Sequence, residues 1–90
     1  MADAAENKLD HRLRALLARA RDDTSLLDQE IHVFVRFVGR VEELAEAGAR
    51  VGSVAGDIAT AALRVRELPA FSGSPAVRLV EAAGRLGPNA

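Results

Sequence analysis

Apolar residues recur at helical spacing through much of this chain. In the segment AENKLDHRLRALLARARDD, Leu9, Leu13 and Leu16 follow one another at intervals of four and three residues, with charged residues between them. This spacing predicts an amphipathic helix over about residues 4–21. Ser25 then supplies an N-cap side chain, so a second helix is expected to begin at about residue 25.

The second helix is predicted to be long, over about residues 25–67. A heptad-like row of apolar positions runs through it in steps of four and three, and its side chains change from large to small near Gly48. Such a row suits burial against another helix or another chain. The predicted helix-packing interface consists of Leu27, Ile31, Phe34, Val38, Val41, Leu44, Gly48, Gly52, Ala55 and Ala59.

The stretch IHVFVRFV within this helix permits a second interpretation. Ile31, Val33, Val35 and Phe37 alternate with other residues, as the inward positions of a buried strand do. We favour the helix because the flanking segments LLDQE and RVEELAEA are strong helix formers. A strand would also need a second strand to pair with, and the rest of the chain shows no obvious candidate.

The stretch GARVGSVAG has a glycine at every fourth position, and glycine inside a helix costs about 1 kcal/mol relative to alanine. In one interpretation, Gly48 and Gly52 allow a second helix to approach closely. In the other, the helix breaks near residues 48–53, with Gly48 as its C-cap. A favourable pair of Glu46 with Arg50 requires a continuous helix, so continuity is preferred, but both interpretations stay open.

Proline and glycine divide the last part of the chain. Pro69 and Gly73 predict a loop over residues 68–74, and Ser74 followed by Pro75 predicts the start of a short helix over residues 75–86. The expected fold class is therefore all-α. We expect residues 1–90 to form one helical domain, a hairpin or small bundle with a long central helix that associates as a coiled coil.

Composition and charge exclude several classes of protein. Lys and Arg number 12 and Asp and Glu 13, so no overall field favours nucleic acid or an anionic membrane. No stretch reaches the roughly 20 apolar residues that a transmembrane helix needs. The absence of cysteine excludes disulfides, which favours a reducing compartment, and a cytoplasmic location is expected.

Residues capable of catalysis or metal binding are few and scattered. His11 and His32 fall on different predicted helices without the spacing of a metal-binding pair, so no metal is expected. The serines, of which Ser53 is typical, have neither a Gly-x-Ser-x-Gly context nor an evident base beside them. We therefore expect no enzymatic activity, no catalytic residue and no cofactor.

Association with protein is the function that this pattern favours, either with further copies of the chain or with a coiled-coil partner subunit. A less favoured alternative is a small nucleic-acid accessory protein whose basic first helix contacts phosphates. That helix contributes Arg12, Arg14, Arg19 and Arg21. A second alternative is a peripheral membrane or secreted helical hairpin. Short alanine-rich chains of this kind resemble subunits of small coiled-coil assemblies and secreted helical hairpins, but without tryptophan the Trp-x-Gly turn of the latter is missing, and no family is assigned.

Overall fold

The computed structural model of the chain describes residues 8–83, which form an α+β fold. The prediction of an all-α coiled coil is therefore wrong. Three helices are present in the described part of the chain, α1 (His11–Asp22), α2 (Glu42–Glu46) and α3 (Leu68–Ser72). The strands are β1 (Glu30–Phe37), β2 (Arg50–Ala55), β3 (Ile58–Arg64) and β4 (Val77–Ala82). Two 3-10 helices, Thr24–Asp28 and Val65–Glu67, complete the fold.

All four strands belong to one antiparallel sheet in the order β2-β3-β1-β4. The central strand β1 pairs with β3 on one side and with β4 on the other. Only β2 and β3 are joined by a tight hairpin. The chain from β1 to β2 runs through α2, and the chain from β3 to β4 runs through α3, so both longer connections contribute helices.

The stretch IHVFVRFV forms β1, so its interpretation as helix is wrong. Burial alternates strictly along the strand, and Ile31, Val33, Val35 and Phe37 are its buried residues. The partner strands were not recognised in the sequence. One of them, β3, turns Ala59 and other small residues inward, and alanine is a weak strand signal.

The remainder of the predicted long helix is also replaced by shorter elements. After β1, α2 spans only Glu42–Glu46, and the chain then turns at Gly48, whose φ is +113°. The alternative with a break at this glycine is thus nearer to the structure. The chain does not continue as a second helix after this break, however, because it forms the strand β2 over Arg50–Ala55. The glycines consequently do not form a helix-packing seam.

A two-residue turn joins β2 to β3. Ala55 pairs with Ile58 across the hairpin, and Gly56 between them has a φ of +61°. Glycine at the first central position with positive φ is typical of a type II′ turn, whose twist matches that of paired strands. GARVGSVAG therefore contains a loop, an edge strand and a hairpin turn.

The predicted C-terminal helix is a strand in its described part. Val77 and Val80 of β4 are completely buried, and the register of β4 against β1 shifts between Arg36 and Phe37. The spacing of three between the two valines looked helical, but it reflects this irregularity in pairing. Residues 84–86 of the predicted helix lie outside the described residues.

A helix is present in the predicted position of α1, although it begins at His11. The Asp10 side chain caps it by accepting the Leu13 N–H at 2.8 Å. Leu13 and Leu16 are buried, as their spacing suggests. Leu9 precedes the helix and pairs with Val80 of β4. The first predicted turn, residues 4–7, lies outside the described part.

One hydrophobic cluster connects the helices to one face of the sheet. Each helix contributes at least one fully buried side chain, for example Leu13 of α1, Leu44 of α2 and Phe71 of α3. These meet the inward residues of the strands, such as Val33 and Val80. The helices of the described part of the chain thus pack on one face of the sheet and not on the other. Among residues 8–83, no helix is long and apolar enough to cross a membrane.

Candidate protein-interaction surface

The face of the sheet that points away from the helices is the most distinctive surface of the molecule. Strand alternation sends every second side chain to this side, which we call the open face. On the two central strands it consists of Glu30, His32, Phe34, Arg36, Ile58, Thr60, Ala62 and Arg64. On the outer strands the register adds Leu79, Glu81, Arg50 and Ala55.

Two large apolar side chains project from the open face. Phe34 is 45% exposed and Ile58 is 39% exposed. Phe34 pairs with Thr60, and the next pair on the same face is Arg36 with Ile58, so Phe34 and Ile58 are diagonal neighbours. They line a shallow depression of about 310 Å³ together with Arg36 and Glu81. An exposed apolar pair rimmed by charges is typical of a protein-binding surface.

Small residues form a low area beside Phe34. Thr60 and Ala62 on β3 are only half-buried, although neither has a large side chain. Next to them, β2 has a bulge in its pairing with β3. At this bulge the Thr60 hydroxyl accepts the Ser53 N–H at 2.8 Å. A Cβ on Gly52 would lie 2.8 Å from the same hydroxyl, so a larger residue there would have to displace the Thr60 side chain. The open face therefore has projections at Phe34 on β1 and at Ile58 on β3, and a hollow at Thr60 and Ala62 on β3.

Charges of both signs surround this apolar area. At one end, Glu30 makes an ion pair with Arg50 and is the register partner of Arg64. At the other end, Arg36 and Glu81 border the depression. Exposed pairs of this kind contribute little to stability, but they determine which surface can dock without like charges meeting.

The edge of the sheet at β4 is covered. The Asp10 N–H donates to the Val80 carbonyl at 3.0 Å, and the Asp10 carboxylate accepts the Ala82 N–H at 2.8 Å. The same carboxylate caps α1, so one side chain joins helix and strand. An incoming strand would have to displace this segment before it could pair with β4.

The other edge, β2, is exposed along most of its length but is irregular. The bulge between Val51 and Val54 interrupts its pairing with β3. Bulges twist an edge strand and are one of the ways in which proteins discourage the addition of further strands. Neither edge is therefore as suitable for binding as the open face.

The other polar side chains among residues 8–83 do not gather in one site. Within residues 8–83, no group of three or more His, Cys, Asp and Glu side chains could hold a metal ion. His11 is the first residue of α1, whereas His32 is on the open face of β1. Ser72 is fully buried and donates its hydroxyl to the Leu68 carbonyl at 2.8 Å, a structural hydrogen bond within α3.

The ten residues of the predicted interface are divided among different parts of the fold. Ile31, Leu44 and Ala59 are buried in the core, whereas Leu27 and Val41 are half-buried. The others, Phe34, Val38, Gly48, Gly52 and Ala55, are exposed.

Of the ten, Phe34 and Ala55 are on the open face, and Gly52 borders it beside Thr60. The sequence interpretation missed Ile58, Thr60 and Ala62. The sequence signal for these residues is the alternation of IATAALR, which is a weak strand pattern because its inward residues are mostly alanine.

The arginines considered for phosphate contacts, Arg12, Arg14, Arg19 and Arg21, are exposed on α1. They are on the helical side of the sheet and take no part in the open face.

Comparison of the chain with protein-family models, with curated proteins and with solved structures gives no match.

Proposed function

We propose that this chain is a non-catalytic protein-interaction module that binds a folded protein chain through the open face of its sheet. The observation that carries the proposal is the exposure of Phe34 and Ile58 side by side on a sheet face that none of the helices in residues 8–83 covers. Large apolar side chains at the centre of a polar surface are the usual anchors of protein interfaces.

The two anchors by themselves provide a modest driving force. Full burial of a large apolar side chain contributes about 1.5 to 3 kcal/mol, and each of these is already more than half buried. Docking would therefore gain roughly 1 kcal/mol from each. The remainder must come from contact across the strands, so the partner has to match much of the open face rather than a single pocket.

A protein partner suits this surface better than nucleic acid. Phe34 is the only aromatic residue assigned to the open face, and the acidic residues Glu30 and Glu81 lie among its basic ones. Single-stranded nucleic acid is bound by several stacking aromatics in a positively charged groove. Mixed charge around an apolar centre instead fits the polar rim and dry core of a protein interface.

Site-specific photo-crosslinking tests the proposal. A benzophenone-bearing phenylalanine analogue is placed at Phe34, where it resembles the native side chain, and as a control at Ala18, which is exposed on α1. After irradiation of cells from which the chain originates, position 34 should give discrete protein adducts and position 18 should not. Equal yields at the two positions, or no adduct at position 34, would contradict the proposed function.

The absence of enzymatic activity and the cytoplasmic location remain predictions that accompany this proposal. A purified chain that turns over a substrate would contradict the first. Fractionation of cells that express the chain tests the second.

A further inference from the structure

We infer that the partner on the open face is a second copy of the same chain, packed face to face about a two-fold axis that runs parallel to the strands between β1 and β3. This inference depends on the proposed function, because it specifies what the open face binds. It follows from the register of the sheet and from the distribution of size and charge on the open face.

The register defines which residues would meet. A two-fold axis of this kind places β1 of one copy over β3 of the other, at the same height along the strands. Phe34 then lies over Thr60 of the second copy, and His32 lies over Ala62, because these are register partners within one chain. By the same register Arg36 lies over Ile58, whose apolar surface the aliphatic part of the arginine side chain would cover. Two sheets packed face to face are about 10 Å apart and have nearly aligned strands, which this arrangement satisfies.

Side-chain size is complementary in this arrangement. The open-face residues at the middle of β1, His32 and Phe34, are large, whereas the facing residues of β3, Ala62 and Thr60, are small. Each projection would fill the hollow of the other copy, and this happens twice because the interface is symmetric. A two-fold interface requires one patch to be complementary to itself, and this patch has both the projection and the hollow.

Charge is complementary as well. Glu30 on β1 and Arg64 on β3 are register partners, so each would face its opposite charge on the second copy. A patch of one sign could not pair with itself, because identical charges would meet across the axis. The presence of both signs on the open face therefore favours a second copy over a partner that is strongly charged.

The size of the face sets the expected strength. Four strands of six to eight residues cover an area of about 20 by 20 Å. A dimer would bury on the order of 1,000 Å² in total, which is at the low end of specific interfaces. The expected dimer is thus weak, with a dissociation constant in the micromolar range or above.

Sedimentation equilibrium of the full chain, from about 10 µM to about 1 mM, measures this dissociation constant directly. The apparent mass should rise from that of one chain toward that of two. Phe34→Thr, which keeps a good strand former, and Ala62→Arg, which fills the hollow, should each weaken the dimer at least tenfold. Ala18→Arg, the same change as Ala62→Arg but on the exposed side of α1, should leave it unchanged.

Several outcomes would overturn the inference. A chain that stays monomeric at the highest concentration would do so, as would a dimer that tolerates both open-face variants. Circular dichroism shows whether the Ala62→Arg variant still folds. If that variant is unfolded, the dissociation constant of the Phe34→Thr variant decides the test. Crosslinks from position 34 to a different protein, with a monomeric chain, would exclude the second copy while supporting the proposed function.

Discussion

Asp10 provides a sharp test of how α1 is attached to the sheet. One oxygen of its carboxylate accepts the Leu13 N–H and caps α1, and the other accepts the Ala82 N–H at the edge of β4, both at 2.8 Å. Loss of an N-cap side chain costs about 1 kcal/mol. Loss of a partly buried hydrogen bond costs about 1 kcal/mol more. Asp10→Ala should therefore lower the free energy of unfolding by about 2 kcal/mol.

Asp10→Ser separates the two contributions. Serine can cap the helix but is too short to reach β4 as well, so this variant should lose about 1 kcal/mol. Asp22→Ala, which changes an exposed acid at the other end of α1, should stay within about 0.5 kcal/mol of the original chain.

Urea unfolding followed by circular dichroism gives these free energies, and hydrogen exchange locates the effect. The Ala82 amide should exchange faster in both Asp10 variants, and the Leu13 amide should do so only in Asp10→Ala. Equal losses for the alanine and serine variants would refute the role of one carboxylate at both sites.

Three further substitutions test other parts of the fold by urea unfolding. Gly52→Ala should destabilise by about 1 to 3 kcal/mol, because its Cβ would lie 2.8 Å from the Thr60 hydroxyl; a gain in stability would indicate the exposed helix instead. Gly56→Ala should lose about 1 kcal/mol or more, since φ is +61° in the hairpin turn, and an unchanged midpoint would contradict that turn. Phe71→Ala should lose about 3 to 5 kcal/mol because Phe71 is fully buried, whereas Phe34→Ala should cost the monomer about 1 kcal/mol because Phe34 is 45% exposed; similar losses would contradict the assignment of faces.

The first helix could be predicted because its signal is local. Leu13 and Leu16 have helical spacing, strong helix formers surround them, and the structure buries both. A helix satisfies its backbone hydrogen bonds within one segment, so neighbouring residues contain most of the information. The start of α1 was less predictable, since Leu9 is taken into the sheet by its pairing with β4.

The sheet could not be predicted in the same way because its partners are distant in sequence. Ile31 and Phe34 share one face of a helix, but in β1 they point to opposite faces of the sheet. The choice between the two depended on finding a partner strand. The inward residues of β3 are Ala59, Ala61 and Leu63, and alanine favours a helix over a strand. A two-residue turn at Gly56 was the local clue that was missed.

The open face could be recognised only once the register was known. Phe34 was predicted to lie at an interface, but in company with Ile31 and Val38 rather than with Ile58. Residues 34 and 58 are brought together by strand pairing, which a helical interpretation does not provide. Association with protein stays a prediction, and the surface proposed for it is the open face of the sheet.

The most direct test of the account compares Ile31, Phe34 and Ile58 by NMR in the presence of a soluble paramagnetic agent. In dilute solution, Phe34 and Ile58 should relax strongly, whereas Ile31, which is 2% exposed, should stay protected. At high concentration, the enhancement at Phe34 and Ile58 should fall as the second copy covers them. Equal protection of Ile31 and Phe34 in dilute solution would contradict the account, because residues three apart share a side in a helix but point to opposite faces in a regular strand such as this part of β1.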